Sequence, residues 1–229
     1  LLCIVTPFDG VTEGAPVLKA VVVGNEPPSI SAVELSPSTA SAGDTLTCSW
    51  SGYSDPEGSP DESSAHWFIN GQPAGTGATL AGTFVAGQTV TCKVVPSDGL
   101  SDGEPVSAAL TVDNTPPTLG AVTINPQTVR AGDSVSCSWE GFEDPDGQAD
   151  QTTAAWTLNG EPAADGTVWS GSYVRGDVVG CTATAFDGVD LGDIASASRV
   201  VANTLPSVTG AAIDPAEPRD DDALSCFAV

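Results

Sequence analysis

The stretch Thr45-Leu-Thr-Cys-Ser-Trp50 decides the fold of this chain. Leu46, Cys48 and Trp50 alternate with polar residues, which is the period-two pattern of a half-buried β-strand. The same pattern returns 89 residues later, around Cys137 and Trp139. A fixed period of this size predicts a linear array of one small domain.

Every other landmark keeps this period without an insertion or a deletion. The period divides the chain into the end of one repeat (1–24), two whole repeats (25–113 and 114–202) and the start of another (203–229). Cys3 belongs to the end of a repeat and Cys226 to the start of one. We therefore expect the 229 residues to be a window on a much longer array.

The charge of the chain restricts its partners. Thirty acidic residues against six basic ones give a net charge of −24, spread along the sequence. Such a surface repels nucleic acid and anionic lipid and attracts divalent cations. No apolar run approaches the ~20 residues of a membrane span, so we expect no membrane span in this segment.

The cysteines indicate the compartment. Each whole repeat has two cysteines that lie 44 residues apart, Cys48 with Cys92 and Cys137 with Cys181. Zinc sites prefer close pairs with further Cys or His nearby, and the sequence has none. One disulfide per repeat fits better, and it predicts a secreted or cell-surface protein.

The rest of the repeat predicts short strands and turns. Strands are expected over 30–35, around Trp67, over 79–85, around Cys92 and over 106–112, and Asn70-Gly71 is a strong hairpin signal. Helical periodicity is absent, and 18 prolines and 25 glycines punctuate the strands. The prediction is an all-β chain of antiparallel β-sandwiches.

The order Cys48, Trp67, Cys92, repeated in the second copy, resembles the immunoglobulin-like (Ig-like) sandwich, in which a strand B cysteine bonds a strand F cysteine against a strand C tryptophan. Phrases such as Asp113-Asn-Thr-Pro-Pro117 and Asp144-Pro-Asp-Gly147 are similar to the tandem Ig-like repeats of large bacterial surface proteins. Val90 and Val179 stand where an antibody-type domain has a tyrosine, which argues against that subclass.

This resemblance implies that the B–C and F–G loops meet at one end of each sandwich, beside the linker that enters the domain. Both loops are acidic, and calcium prefers six to eight oxygen ligands on flexible loops. The sequence therefore gives one set of candidate calcium ligands per junction. These are Asp55, Glu57, Asp61 and Asp98 in the first copy, and Asp144, Asp146, Asp150 and Asp187 in the second. The alternative is that these residues only form solvated turns.

Nothing in the sequence predicts an enzyme. His66 is the only histidine, and Ala155 takes its place in the second copy. A catalytic triad needs a histidine held by partners, so a surface strand position is the better interpretation. Trp169 replaces Leu80 of the first copy, and an exposed tryptophan there would suit the stacking of a sugar.

Two functions remain from different classes. The first is an extracellular stalk or fibre of stacked repeats, rigidified by calcium, whose partners are adjacent repeats of the same long chain or like protomers in a fibre. The second is an adhesin-type module that binds a surface glycan or protein. Near-identical spacing between the copies favours the stalk. Strand exchange between two chains does not complete a sandwich, because 1–24 and 203–229 lack the strand with the core tryptophan.

Overall fold

The computed structural model describes residues 1–228, and this part of the chain consists of β-strands and turns without a helix. The all-β prediction is therefore confirmed. Within that range, no helix is long and apolar enough to cross a membrane. The chain divides into two compact units, one of residues 1–115 with 145–147, the other of residues 116–144 with those from 148 onward.

The first unit begins with a two-stranded hairpin of β1 (Leu2–Val5) and β2 (Val17–Ala20). Seven strands of the first repeat follow: β3 (Ala32–Ser36), β4 (Thr45–Ser51), β5 (Ser64–Ile69), β6 (Gln72–Thr76), β7 (Thr79–Ala81), β8 (Thr89–Val95) and β9 (Val106–Thr111). They form a three-stranded sheet, β3-β4-β7, and a four-stranded sheet, β6-β5-β8-β9. The sheet that contains the first strand of the repeat, β3, thus has three strands. In immunoglobulin constant domains the corresponding sheet has four strands.

The second unit repeats this sandwich with β10 (Val122–Asn125), β11 (Val135–Trp139), β12 (Thr153–Leu158), β13 (Glu161–Asp165), β14 (Val168–Trp169), β15 (Val178–Phe186) and β16 (Leu191–Val200). The sheets are β10-β11-β14 and β13-β12-β15-β16. A last hairpin joins β17 (Ala211–Asp214) to β18 (Ser225–Ala228).

A disulfide joins the two sheets of each sandwich, as the sequence predicts. The bonds are Cys48–Cys92 and Cys137–Cys181, each with a Cα–Cα distance of 6.3 Å. Trp67 and Trp156 are fully buried beside them. Each tryptophan is also the cross-strand partner of the second cysteine of its repeat.

The terminal hairpins keep the strand register of the whole repeats. Cys3 pairs with Lys19 as Cys92 pairs with Ala108, and Ile213 pairs with Cys226 as Leu35 pairs with Cys48. Both Cys3 and Cys226 are exposed thiols.

The predicted hairpin at Asn-Gly is confirmed in both copies. Asn70 and Gly71 have φ angles of 49° and 78°, and Asn159 and Gly160 have 53° and 88°. A two-residue turn with both φ angles positive is the type that suits the twist of a hairpin. The strand that follows it, β6, was not predicted.

The strand predicted over 79–85 ends at Ala81, so its second half is wrong. Gly82 lies against the backbone of Gly43, where a Cβ would come within 2.6 Å. Phe84 is buried in the core outside any strand, and Gln88 closes a turn onto Val85. The first strand likewise covers Ala32–Ser36 rather than 30–35.

The two copies differ in the length of the F–G hairpin. β15 and β16 have 9 and 10 residues, whereas β8 and β9 have 7 and 6. In the first copy Pro96 directly follows β8 and Pro105 directly precedes β9. In the second copy Ala185 replaces Pro96 and Ile194 replaces Pro105. Proline donates no hydrogen bond to a ladder, so its replacement lets the strands continue.

Candidate functional site at the linker end of the sandwich

The B–C and F–G loops meet at one end of the first sandwich. The B–C loop covers residues 52–63 and the F–G loop residues 96–105. The backbone N–H of Glu62 donates to the carbonyl of Ser97 over 2.9 Å, and the Tyr53 hydroxyl donates to the same carbonyl over 3.4 Å. This end also receives residues 25–29. We call these residues, and the equivalent residues 114–118 of the second copy, the linkers. The expected convergence of the loops beside the linker is therefore present.

Asp98 holds the F–G loop together and also binds the linker. Its side chain is 5% exposed. One carboxylate oxygen accepts from the backbone N–H of Leu100 and of Ser101, both over 2.7 Å. The other accepts from the side-chain amide of Asn25, also over 2.7 Å. Asp187 caps the loop of the second copy in the same way, through the N–H groups of Val189 and Asp190.

The hydrogen bonds to Asp98 change its acidity. The backbone N–H of Ser101 and the amide of Asn25 stabilise the charged form, and together they lower the pKa of Asp98 to about 2. A carboxyl with a lowered pKa stabilises the folded state above its unfolded pKa, and this contribution is lost as pH falls through the folded value. The contribution of Asp98 is therefore complete above about pH 4 and disappears between about pH 4 and pH 2.

We expect Asp98→Asn to lower the Tm at neutral pH, because the variant loses the charge that accepts these hydrogen bonds. The difference in Tm from wild type should shrink towards zero as pH falls to about 2, where the wild-type carboxyl also becomes neutral. Thermal melts across this range measure it. Asp165→Asn, on an exposed position of β13, is the control for loss of one charge. If the Tm difference between Asp98→Asn and wild type does not vary with pH, the lowered pKa of Asp98 is not the source of the stabilisation.

Asp55 and Asp144 form the turn in the B–C loop. One oxygen of Asp55 accepts from the N–H groups of Glu57 and Ser59, over 3.0 and 2.7 Å. Asp144 accepts from the N–H of Gln148 over 3.0 Å. Such bonds from a side chain to the backbone a few residues ahead are the usual reason for aspartate in turns. The second oxygen of Asp55 is buried and accepts no hydrogen bond.

Asp61 and Asp150 have a role that the sequence reasoning missed. Each accepts a 3.0 Å hydrogen bond from an indole N–H, that of Trp50 or of Trp139. Burial raises the pKa of Asp61, but the hydrogen bonds from Ser63 and Trp50 outweigh it, so the pKa is lowered. The sequence does contain a pattern that indicates this pairing, because an Asp lies 11 residues after this tryptophan in both copies.

The remaining two candidates, Glu57 and Asp146, bind the linker backbone. Glu57 accepts from the N–H of Glu26 over 3.2 Å, and Asp146 accepts from the N–H of Thr115 over 2.7 Å. These two pairs are equivalent in the repeat. The carboxylates therefore fix the linker by direct hydrogen bonds.

The eight acids thus all act as hydrogen-bond acceptors within loops or towards a linker. Among residues 1–228, no three His, Cys, Asp or Glu side chains lie close enough together to hold a metal ion. Calcium at these loops stays a prediction.

A second contact that the sequence did not reveal is the close approach of the linker to the F–G loop. A Cβ on Gly103 would lie 1.9 Å from the carbonyl oxygen of Pro28, and one on Gly192 would lie 1.7 Å from that of Pro117. Only glycine leaves room for the linker here. Ser29 and Ser54 then exchange two hydrogen bonds of 2.9 Å, which tie the end of the linker to the B–C loop.

The other residues noted in the sequence lie in ordinary surroundings. His66 is half-buried on β5 and shares a 3.1 Å hydrogen bond with Ser64. Trp169 is half-buried, with its ring centroid 6.0 Å from that of Trp156 and 5.4 Å from that of Tyr173. Its ring is therefore part of an aromatic cluster at the core.

The outer face of the four-stranded sheet differs between the copies. In the second copy it has an open cavity of about 540 Å³. Ala155 and Asp165 line this cavity together with five threonines, Thr152, Thr153, Thr167, Thr182 and Thr184. The positions of Ala155 and Thr182 are occupied by His66 and Lys93 in the first copy. The face is therefore rich in hydroxyl groups in the second repeat, where Asp165 is its charged residue, whereas Lys93 is the charged residue of the first copy.

Comparison with known proteins gives fold-level similarity only. No protein-family model matches the sequence, and the search of curated proteins found no match. A two-domain fibronectin type-III segment of chicken tenascin is 12% identical over 75% of this chain and 99% of that chain, with a TM-score of 0.42. The FN1–FN3 domains of chicken CNTN1 are 12% identical over 87% of this chain and 76% of that chain, with a TM-score of 0.32. The chain is a tandem array of Ig-like β-sandwiches, an assignment that rests on its strand pairing and disulfides.

Proposed function

We propose that this chain is part of an extracellular stalk or fibre, in which tandem Ig-like sandwiches act as a stiff spacer. The observation that carries the proposal is the fixation of the linkers. Residues 25–29 are held by Asp98, Glu57 and Ser54 of the sandwich that follows them. A linker used as a flexible tether would instead be solvated along its length.

The linker between the two repeats is fixed in the same manner. In the first unit the N–H of Asp113 donates to the carbonyl of Ala40 over 2.7 Å, and the N–H of Ala42 donates to the Thr115 hydroxyl over 3.2 Å. In the second unit the N–H of Asp193 donates to the carbonyl of Pro117 over 3.2 Å. Pro116 stands between these contacts, and its ring fixes φ. This supports a stiff connection.

The disulfides support a location outside the cytoplasm. Structural disulfides form and persist in oxidising compartments, and each sandwich has one across its core. The charge of −24 keeps such a chain soluble and away from anionic lipid.

We expect small-angle X-ray scattering to give a radius of gyration well above the ~17 Å of a single globule of this length. A variant with Pro116→Gly and Pro117→Gly is the matched control, because glycine releases the φ restriction and should broaden the distribution of interatomic distances. A wild-type radius near ~17 Å would contradict the spacer.

Calcium is the second part of this proposal. The support is the buried, unpartnered oxygen of Asp55 within a strongly acidic chain. A ligand that binds only the folded state must raise the Tm. We therefore expect a higher Tm in millimolar calcium than in chelator, with magnesium at equal ionic strength as control. Equal values in calcium and chelator would remove calcium from the proposal and leave the spacer intact.

A second candidate function, glycan or protein binding by an adhesin-type module, is favoured by the threonine-lined cavity of the second repeat. A glycan array with the 229-residue chain tests it. Binding that Thr182→Lys abolishes would favour this module, since that substitution installs the residue of the first copy.

A further inference from the structure

The outer face of the four-stranded sheet in the first repeat carries the lysine and the histidine of that repeat. Residues 25–113 contain eleven acidic residues, but one lysine, Lys93, one histidine, His66, and no arginine. Lys93 and His66 are directly opposite each other on the neighbouring strands β8 and β5, so their side chains share a face. The four strands β5, β6, β8 and β9 contain no acidic residue. This repeat thus has one surface that attracts anions within a strongly acidic whole.

A cavity opens beside His66 on this face. Its volume is about 540 Å³, and its lining includes His66, Phe68, Pro73 and Thr76. The register between β5 and β6 shifts between Trp67 and Phe68, as at a β-bulge, and such irregularities redirect side chains locally. A volume of this size is in the range of small-molecule sites.

The lining combines apolar and polar groups. Phe68 and Pro73 are cross-strand partners and provide apolar surface. Thr76, the cross-strand partner of His66 on β6, adds a hydroxyl. The imidazole is oriented by the 3.1 Å hydrogen bond that its Nε2 shares with Ser64. Sites for small ligands typically combine an apolar surface with a few polar groups that fix the orientation of the ligand.

The second repeat has the same groove with different side chains. Its cavity at the equivalent place has a volume of about 360 Å³. Ala155 and Thr157 replace the imidazole and the phenyl ring, Asp165 adds a negative charge, and Thr182 replaces the lysine. The sandwich therefore forms without the lysine and the histidine, and the folding of the sheet does not account for their presence in the first repeat.

We propose that His66, Phe68, Pro73 and Lys93, which we call the basic face, bind a sugar that carries a carboxylate, of the uronic acid class. The carboxylate accepts hydrogen bonds from Lys93 and His66, and the sugar ring packs on Phe68 and Pro73. Hydrogen bonds between charged groups are stronger than neutral ones. A sugar with one charge suits this face better than an acidic loop of a second copy, because two chains with a net charge of −24 repel each other.

Titration of the ¹⁵N-labelled 229-residue chain with methyl β-D-glucuronide tests the proposal, and methyl β-D-glucoside is the neutral control. We expect millimolar glucuronide to shift the amide signals of residues 64–68, 73–76 and 91–95. The equivalent residues of the second repeat, 153–157, 162–165 and 180–184, should not shift. The glucoside should bind at least about tenfold more weakly, since it lacks the carboxylate. Added salt should weaken the binding of the glucuronide, because it screens the attraction.

The second repeat supplies the variants. Lys93→Thr and His66→Ala introduce the residues that the second copy has at these positions, so both variants are expected to fold. Lys93→Thr should weaken the binding of the glucuronide at least about tenfold, and His66→Ala should weaken it measurably. Arg175→Ala is the matched control. It removes one positive charge from an exposed turn of the second repeat, introduces the alanine of the first copy, and should leave the binding unchanged.

Several outcomes would overturn the proposal. These are equal binding of both sugars, shifts in the second repeat instead of the first, no shifts at millimolar glucuronide, and unchanged binding by Lys93→Thr. A peptide of residues 55–62, which is acidic, is the competitor. If it binds the basic face more tightly than the glucuronide does, the site is for an acidic protein segment and the sugar is excluded. The spacer function and the threonine-lined cavity of the second repeat are tested separately and do not depend on these results.

Discussion

Replacement of both Cys48 and Cys92 by alanine is expected to lower the free energy of unfolding of the first repeat by about 4 kcal/mol. The bond closes a loop of 44 residues, and its loss restores that freedom to the unfolded chain. Alanine is chosen because both cysteines are buried, so a serine hydroxyl would add a desolvation cost of its own. Urea denaturation followed by tryptophan fluorescence measures the effect.

Two controls accompany this variant. Cys3→Ala changes an exposed thiol and should leave the stability unchanged. The pair Cys137→Ala and Cys181→Ala should affect the second repeat alone by a similar amount, since its bond closes a loop of the same length. A loss below about 1 kcal/mol for the first pair would mean that the bridge does not stabilise the sandwich as the chain-entropy argument requires.

The second large effect is expected for Trp67→Ala, at about 4 kcal/mol. Trp67 is 0% exposed, and its indole N–H donates to the carbonyl of Gly77 over 2.9 Å. The substitution leaves a cavity between the sheets and removes the donor of that bond. Trp50→Ala is the matched control. This half-exposed tryptophan should cost clearly less, so similar losses for both would contradict the assignment of Trp67 as the central core residue.

The parts of this fold that the sequence predicts are those encoded by short-range patterns. Alternation around Cys48 predicts a strand, and Asn70-Gly71 predicts a hairpin, because the backbone conformation of such a turn depends on the two residues themselves. The disulfide pairs follow from the 89-residue period and the separation within each repeat. The repeated sequence also identified which loops are acidic.

The parts that were missed depend on contacts between residues far apart in the chain. Nothing near Gly103 in the sequence indicates that the carbonyl of Pro28 lies against it. The bond between Trp50 and Asp61 likewise needs the folded B–C loop. The acids were interpreted by charge alone, whereas in the structure each is an acceptor for a particular N–H. The short strand β7 could not be distinguished from the buried but irregular segment that contains Phe84.

Attachment of the linker to the sandwich that follows it has a consequence for how such a chain can change in evolution. The contacts of the first linker all lie within one 89-residue unit. Asn25 donates to Asp98, Glu26 donates to Glu57, and the carbonyl of Pro28 lies against Gly103. A duplication or deletion of one whole unit by recombination therefore keeps the linker together with the loops that bind it. The number of repeats can therefore change in single genetic steps while each linker keeps these contacts with the sandwich that follows it.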